Sequence, residues 1–461
     1  MGKGNIFSGK PVFSQIIKLM DRSEINRIAD EQHANRYTKR LDAYAHLVIM
    51  LYAVLNNFSS LREVVSGFVS AVTRLKHFGM DYVVRRSTLA DANKRRPSEF
   101  FASVYAALWA RYRTFLSDSR PVDAHGKKVF IMDSTTISLF TDVLKCSGRK
   151  PKNGKKKGGI KAHTVIQADA DTPAFIRLTE ATVHDRKVMW LAEKLPQGSY
   201  LVADKGYYDY EEWQRLTDRG IFYVTKLKSN AKYTVVEKRD VSGMEGNGLL
   251  SDEIIEVTYK RDNKRPLTKE EMSHRRGRKP KSGVVWKHDW RTYKHRCRRI
   301  EKLADNGIDH IVFVTNDFGT SANDIGELYR RRWQVETLYK RMKGNFPLKY
   351  FLGDSANEIE IQVWVTMIAW LLLMVIKKDV TRRKWSFSNM VTEVRILINA
   401  YIDIRVFLND PNCMWRSLIA ERERLKKELQ NDLFPETVTL ISENKRTVAC
   451  LNAPQDEKWR F

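Results

Sequence analysis

Three acidic residues in this sequence stand where carboxylates could share a hard cation. Two apolar runs each end in an aspartate, Val129-Phe-Ile-Met-Asp133-Ser-Thr and Leu201-Val-Ala-Asp204-Lys-Gly-Tyr-Tyr. If the two runs are adjacent parallel strands, both carboxylates project at one carboxyl edge of a sheet, where open α/β sheets place ligands. An aspartate after a strand is equally an ordinary turn former or helix N-cap, so the pair needs a third partner. That partner comes from a helical run, Ile325-Gly-Glu-Leu-Tyr329-Arg-Arg-Arg332-Trp-Gln-Val-Glu336-Thr-Leu-Tyr-Lys-Arg-Met-Lys343. On one continuous helix Tyr329, Arg332, Glu336 and Lys343 fall within roughly a 60° arc, so a single stripe presents phenol, guanidinium, carboxylate and ammonium. Glu336 could complete a three-carboxylate cage for Mg²⁺ or Mn²⁺, with Arg332 and Lys343 holding phosphate oxygens beside it. A salt-bridged surface helix is the plain alternative.

The elements that must position these residues can be read from periodicity. Residues 1 to about 120 carry apolar positions at helical spacing, as in Phe13-Ile16-Ile17-Met20 and Phe100-Val104-Ala107-Leu108. Within them Arg85 to Arg96 reads as a short basic helix of recognition-helix size, with Ser87 as capping candidate and Pro97 as its stop. From about 125 short β-rich runs follow: Val129–Met132, Ala162–Ile166, Ala174–Leu178, Tyr200–Ala203 and Ile221–Val224. Three close strands and then strand and helix in alternation predict a mixed sheet covered by helices. Polar, basic sequence with a few strand-like pieces fills 226–320 and reads as an inserted subdomain. Helical sequence resumes at Ala322 and continues into a tail of mixed charge, whose last helix, from Trp415, stays unassigned.

Charge names the partner class. Lys and Arg number 81 against 55 Asp and Glu, a formal charge of +26, in a foldable chain that is 43% hydrophobic. Such an excess seeks a polyanion, nucleic acid before an anionic membrane. The longest uncharged stretch, Ile361–Ile376, falls short of a membrane span, which favours a buried core helix and no membrane partner. Cys146, Cys297, Cys413 and Cys450 lie far apart and suit a reducing cytoplasm. Lys145–Lys161 carries eight basic residues and no acid, including Lys155, Lys156 and Lys157, in a Gly- and Pro-studded loop. Lys260–Arg299 has 16 basic and four acidic residues, among them Arg275, Arg276 and Arg278, interleaved with Trp286, Trp290 and Tyr293. One-signed runs with aromatics that can stack on bases favour a role along a phosphate backbone over a solvated face.

These residues resemble the DDE transposases of bacterial insertion sequences, in the group with the motif Y-x2-R-x3-E-x6-K. Tyr329, Arg332, Glu336 and Lys343 match that spacing, Asp133 looks like the first family aspartate, and Asp204, in Ala203-Asp-Lys-Gly-Tyr207, like the second. The resemblance spans about 128–345. It implies a ribonuclease H-like core, an α/β mixed sheet flanked by helices with a β-rich insertion. The expected organisation is a helical DNA-binding domain over 1–122, core over 123–225, insertion over 226–320, second core part over 321–378 and a helical region over 379–461. It further implies cut-and-paste transposition, with two Mg²⁺ ions held by Asp133, Asp204 and Glu336 and Mn²⁺ as substitute. Double-stranded DNA would be the partner, as transposon terminal inverted repeats and as target, gripped by Tyr329, Arg332 and Lys343. A DNA hairpin intermediate and a homodimer in the synaptic complex are also implied. Trp286 and Trp290 are candidates for stacking a flipped base. His184 and Asp185, in Thr182-Val-His-Asp185, are candidates for supporting the site, Asp185 being as plausibly a helix N-cap. A nuclease on the same core, or an inactive DNA-binding derivative, would share much of this pattern.

Overall fold

Ala43-Tyr-Ala-His-Leu-Val-Ile-Met-Leu-Tyr-Ala-Val-Leu55 is apolar around nearly its whole circumference and can be helical only in an interior; every residue of it is buried. The computed structural model describes residues 8–117, 126–138, 159–168, 172–241, 248–273, 285–304, 309–348 and 350–432. The helices before the first strand are α1 (Val12–Ile17), α2 (Arg22–Glu31), α3 (Ala43–Leu55), α4 (Leu61–Ser70), α5 (Arg86–Arg95) and α6 (Ser98–Leu116). Asp21, Asp42 and Ser60 cap α2, α3 and α4 by accepting from backbone N–H groups of the first turn. The basic helix is α5 as read, ending before Pro97, but Ser87 lies inside its first turn and Arg85 occupies the N-cap position without a side-chain cap bond.

The strands are β1 (Val129–Ser138), β2 (Gly159–Gln167), β3 (Thr172–Glu180), β4 (Tyr200–Ala203), β5 (Phe222–Lys226), β6 (Thr234–Lys238), β7 (Leu249–Asp262), β8 (Arg265–Pro266), β9 (Trp286–Lys287), β10 (Trp290–Leu303) and β11 (His310–Thr315). Helix α7 (Tyr210–Asp218) joins β4 to β5 and α8 (Lys269–Ser273) follows β8. Nine of the strands form one sheet in the order β3-β2-β1-β4-β5-β11-β10-β7-β6. β1, β2 and β3 are antiparallel, while β4 and β5 run parallel to β1, giving the mixed ribonuclease H-like arrangement. Residues 226–320 read from sequence as an inserted subdomain, yet β11 pairs with β5, and β10, β7 and β6 extend the same sheet outward. The open edge of β5 explains this, since its backbone groups are satisfied by β11. Among the described residues only β8 and β9 pair apart from the large sheet.

The remaining helices are α9 (Ala322–Arg330), α10 (Trp333–Asn345), α11 (Ala356–Asp379), α12 (Phe387–Ile396), α13 (Ile404–Asn409) and α14 (Asn412–Asp432). Helix α11 is long and apolar enough to cross a membrane by length and composition, but 83% of its most apolar window is buried inside the protein. Its start is fixed by a capping box between Ser355 and Glu358. Val129, Ile131, Tyr200 and Val202 share one apolar core with α3, α6, α10 and α11, whereas Phe130, Met132, Leu201 and Ala203 pack on the other face with Trp213 and Leu216 of α7. That alternation is the period of two expected of a sheet covered on both sides.

Candidate active site

Strand alternation sets the direction of the acids. The last parallel pair between β1 and β4 is Met132 with Ala203, so Asp133 and Asp204 emerge side by side one residue later. The two preceding residues face α7, so the next position on each strand faces α9 and α10. Asp133 does not terminate its strand, as the sequence suggested. β1 runs on to Ser138 because β2 pairs with it through Ser138 and Gly159.

The helical run with the third acid is not one helix. α9 ends at Arg330 and α10 starts at Trp333, and in between Arg332 and Gln334 donate to Tyr329 and Arg331, three residues back, at 3.0 and 2.9 Å. This tighter turn bends the stripe. It brings Arg332 Nη1 3.2 Å from Asp133 Oδ2 and 2.8 Å from Glu336 Oε1. Glu336 is linked to the first aspartate through this guanidinium. Helix α10 is anchored to β2 by Tyr339, which donates to the Ala162 carbonyl at 3.2 Å and touches Thr164. Lys343 Nζ donates to Thr135 Oγ1 at 2.7 Å and to the Thr136 carbonyl at 2.9 Å, tying the end of α10 to the strand of Asp133.

Burial pushes the Asp133 carboxyl up to about 6; Asp204 and Glu336 push the same way, while the Ser134 N–H and Arg332 oppose. Burial lifts the Tyr329 phenol to about 12 and lowers the Lys343 ammonium. The Tyr329 hydroxyl and Arg332 Nε are buried without a hydrogen-bond partner.

On the other face of β1, Ser134 Oγ donates to Asp185 Oδ1 at 2.9 Å, and Lys161 Nζ lies 3.1 Å from the same oxygen. Lys161, placed by the sequence in an exposed basic loop, is buried on β2 because it pairs with Asp185 and donates to the Val183 carbonyl at 2.8 Å. His184, not Asp185, holds the N-cap position of the following 3₁₀ turn and makes no side-chain cap bond. His163 is buried, bonded to Thr179 at 2.9 Å and Tyr207 at 3.3 Å. A side chain at Gly206 would stand 3.1 Å from Asp185 Oδ2 and 3.7 Å from Asp204 Oδ2, so the glycine lets these acids approach one turn.

Lys155, Lys156, Lys157, Arg275, Arg276 and Arg278 lie outside the described residues. Trp286, on β9, and Trp290, at the start of β10, are exposed, and Lys264 Nζ stands 5.3 Å over the Trp286 ring. Lys226, which the sequence reading missed, ends β5 with its ammonium 5.3 Å over the Tyr329 ring. Trp333 was missed as well; it is 61% exposed beside Arg332. A basic residue closing the strand next to β4 was the available signal for Lys226.

The family model described as "Transposase DDE domain" matches residues 124–372, more than half of the chain. The chain belongs to the DDE transposase family. Residues 8–81 of this transposase match a second model, described as a domain of unknown function. Two relatives are described as transposases. One is y4zB of Sinorhizobium fredii, 29% identical over 62% of this chain and 70% of the relative. The other is that of insertion sequence element IS4SA of Synechocystis, 22% identical over 64% and 72%. A solved piggyBac transposase synaptic complex with hairpin DNA covers 96% of this chain and 89% of its own, at 12% identity and a TM-score of 0.39. The family model and these relatives make the transposase an insertion-sequence enzyme of metal-dependent DNA cleavage and strand transfer, with DNA as its partner. Among its described residues no three His, Cys, Asp or Glu side chains stand together as a finished metal cage. The donors nevertheless fit a divalent cation. They are carboxylate oxygens, the ligands hard cations take, and a guanidinium already sits as the positive charge between Asp133 and Glu336.

Proposed function

We propose that the transposase excises and inserts its element by cut-and-paste, with Asp133, Asp204 and Glu336 holding two Mg²⁺ ions for which Mn²⁺ substitutes. The chemistry such ions supply when bound is activation of a water or DNA 3′-hydroxyl and stabilisation of the departing oxygen. The observation that carries this reading is the adjacency of Asp133 and Asp204 just past the Met132 and Ala203 pair, with Glu336 joined to Asp133 through Arg332.

Arg332 lies between Asp133 and Glu336 with its guanidinium 5.9 Å from the Tyr329 ring, and both residues keep a buried donor without a partner, which suits them to orient a backbone phosphate beside the acids. Lys343 holds β1 at Thr135 and Thr136 and adds positive charge on the same side. Asp185 acts through Ser134 as a positioning residue for Asp133. His184 belongs to the same turn. In the reaction, a freed 3′-hydroxyl attacks the opposite strand to close a hairpin, which water reopens before the end attacks target DNA. The substrates are the terminal inverted repeats and a target duplex, paired by a homodimer in the synaptic complex, in the bacterial cytoplasm. Trp286 and Trp290 are exposed, Trp286 with the Lys264 ammonium over its ring, and both are suited to stack an unpaired base at the transposon end.

Glu336→Gln keeps the size of the side chain and weakens a ligand. With labelled DNA carrying the sequences that flank the gene, in Mg²⁺, wild-type protein is expected to cut at both ends. The variant should bind and leave the DNA intact, with cleavage reduced at least ~1,000-fold, of the order lost with an essential electrostatic group. Retained cleavage would move the active site elsewhere.

A further inference from the structure

The turn segment between α2 and α3 holds two of the three non-glycine residues with left-handed backbone among the described residues, His33 at φ 50° and Tyr37 at φ 59°. Such conformations are costly for residues with a Cβ and persist where the surrounding structure enforces them, often at functional sites. Together with the end of α5 the segment encloses a cleft of about 660 Å³. Its lining carries five cations, Arg36, Lys39, Arg40, Arg95 and Arg96, against the single carboxylate of Asp91. Arg36, Lys39, Arg40 and Arg95 are exposed. Tyr37 is 88% exposed, and the Arg36 guanidinium lies 4.9 Å over its ring.

Arg96 differs from these four because only 5% of it is exposed. Its Nε donates to the Ala34 carbonyl at 2.9 Å and Nη2 to the Leu41 carbonyl at 2.8 Å, while Nη1 has no partner. Burial lowers its pKa to about 10. Carbonyl oxygens satisfy donors without carrying a full opposite charge, the Asp42 carboxylate offsets only part of what burial costs the guanidinium, and an anion in the cleft would add to that compensation. An exposed phenol beside exposed guanidinium groups adds a flat face suited to a sugar. These are the features of a duplex backbone, with repeating phosphates separated by deoxyriboses.

We propose that this cleft is a backbone clamp for duplex DNA, in which Arg36, Lys39, Arg40 and Arg95 hold successive phosphates, Arg96 supports the floor and Tyr37 packs on a deoxyribose. The clamp rests on the reading of the chain as a DNA transposase and gives a role to the segment matched by the domain of unknown function. Because backbone contacts are sequence-independent, any duplex serves as probe.

The test is fluorescence anisotropy of the full-length protein with a labelled duplex of about 30 base pairs and arbitrary sequence, in EDTA, across a salt series. The triple variant Arg36→Ala, Lys39→Ala, Arg40→Ala is expected to weaken binding at least tenfold. It should also lower the slope of log Kd against log salt by roughly 2 to 3, about 0.9 for each phosphate left without its cation. Tyr37→Ala should weaken binding severalfold with the slope unchanged. All four positions are exposed, so the melting temperature should stay at the wild-type value. Wild-type affinity and slope in the triple variant would overturn the clamp. The catalytic reading fails separately: Glu336→Gln that still cuts sinks that reading even if the triple variant no longer binds DNA, and Glu336→Gln that no longer cuts upholds it even if the triple variant binds normally.

Discussion

Asp133 is the residue on which the electrostatics converge. Burial and two neighbouring acids hold its carboxyl near 6, so a proton competes with any cation in the range where an ordinary aspartate is already ionised. Cleavage is therefore expected to fall as pH drops through about 6, and raising the Mg²⁺ concentration should move that acid limb to lower pH. A pH–rate profile at two Mg²⁺ concentrations checks this, and an acid limb indifferent to metal would count against Asp133 as a ligand. Lys161 makes a second residue-scale case, because its buried ammonium leans on one carboxylate, Asp185. Breaking a buried pair from one side typically costs roughly 3–5 kcal/mol, while removing both charges costs far less. Asp185→Asn is thus expected to lower the urea midpoint sharply and Lys161→Met added to it to restore most of the loss. Additive losses would mean that the pair does not hold the turn. The sequence displayed Asp185 as a candidate, but the burial of Lys161 could not be read from a run of eight basic residues, since only its pairing on β2 takes it inside.

At the scale of elements, β1 and β4 act as a ruler. Four residues of parallel register, Val129 to Met132 against Tyr200 to Ala203, deliver two acids from positions 71 apart to one place. The helical stripe of Tyr329, Arg332, Glu336 and Lys343 was visible as a spacing, but the bend at Arg331 and Arg332 was not. Both residues keep right-handed helical backbone, and no Gly or Pro marks the break. The shape of α11's start, by contrast, is local chemistry. A Cβ at Gly353 would stand 2.4 Å from Glu358 Cδ, the side chain that closes the capping box with Ser355. Ser355→Ala should cost about 1 kcal/mol, the usual value of a cap. Gly353→Ala is expected to cost more, because it displaces Glu358 from two backbone N–H groups at once. Denaturant midpoints of the two variants check the order, and the reverse order would refute the close approach.

Over the whole molecule, buried imidazoles set an acid limit. Burial holds His163 and His295 near 4 and His46 well below its ordinary value. A histidine whose pKa is depressed on folding contributes stability that is full above about 6.5 and is lost as pH falls toward its folded value. Asp133 and Glu212, whose carboxyls burial raises, act in the opposite sense, gaining stability as pH falls through their raised values, but they are two groups against three. Urea midpoints should therefore drop between pH ~7 and ~5. A midpoint that holds or rises over that interval would show that the imidazoles are not buried neutral.

Composition, periodicity and motif spacing carried a good deal of this protein: the polyanion partner through net charge, the buried α11 through its length, the order of β1 to β5 through apolar period, and three acids through their contexts, whereas the long strand β10 was not read. These depend on each segment alone, on what its side chains repel or seek. Register, by contrast, belongs to pairs of segments far apart in the chain. Only the tertiary structure decided that β11, β10, β7 and β6 extend the sheet of β5, that Arg332 turns between Asp133 and Glu336, that Lys226 reaches Tyr329 and that Lys161 goes inside to meet Asp185. Each of those outcomes depends on which partner happens to lie within hydrogen-bond reach once the sheet has closed, and no local pattern encodes it.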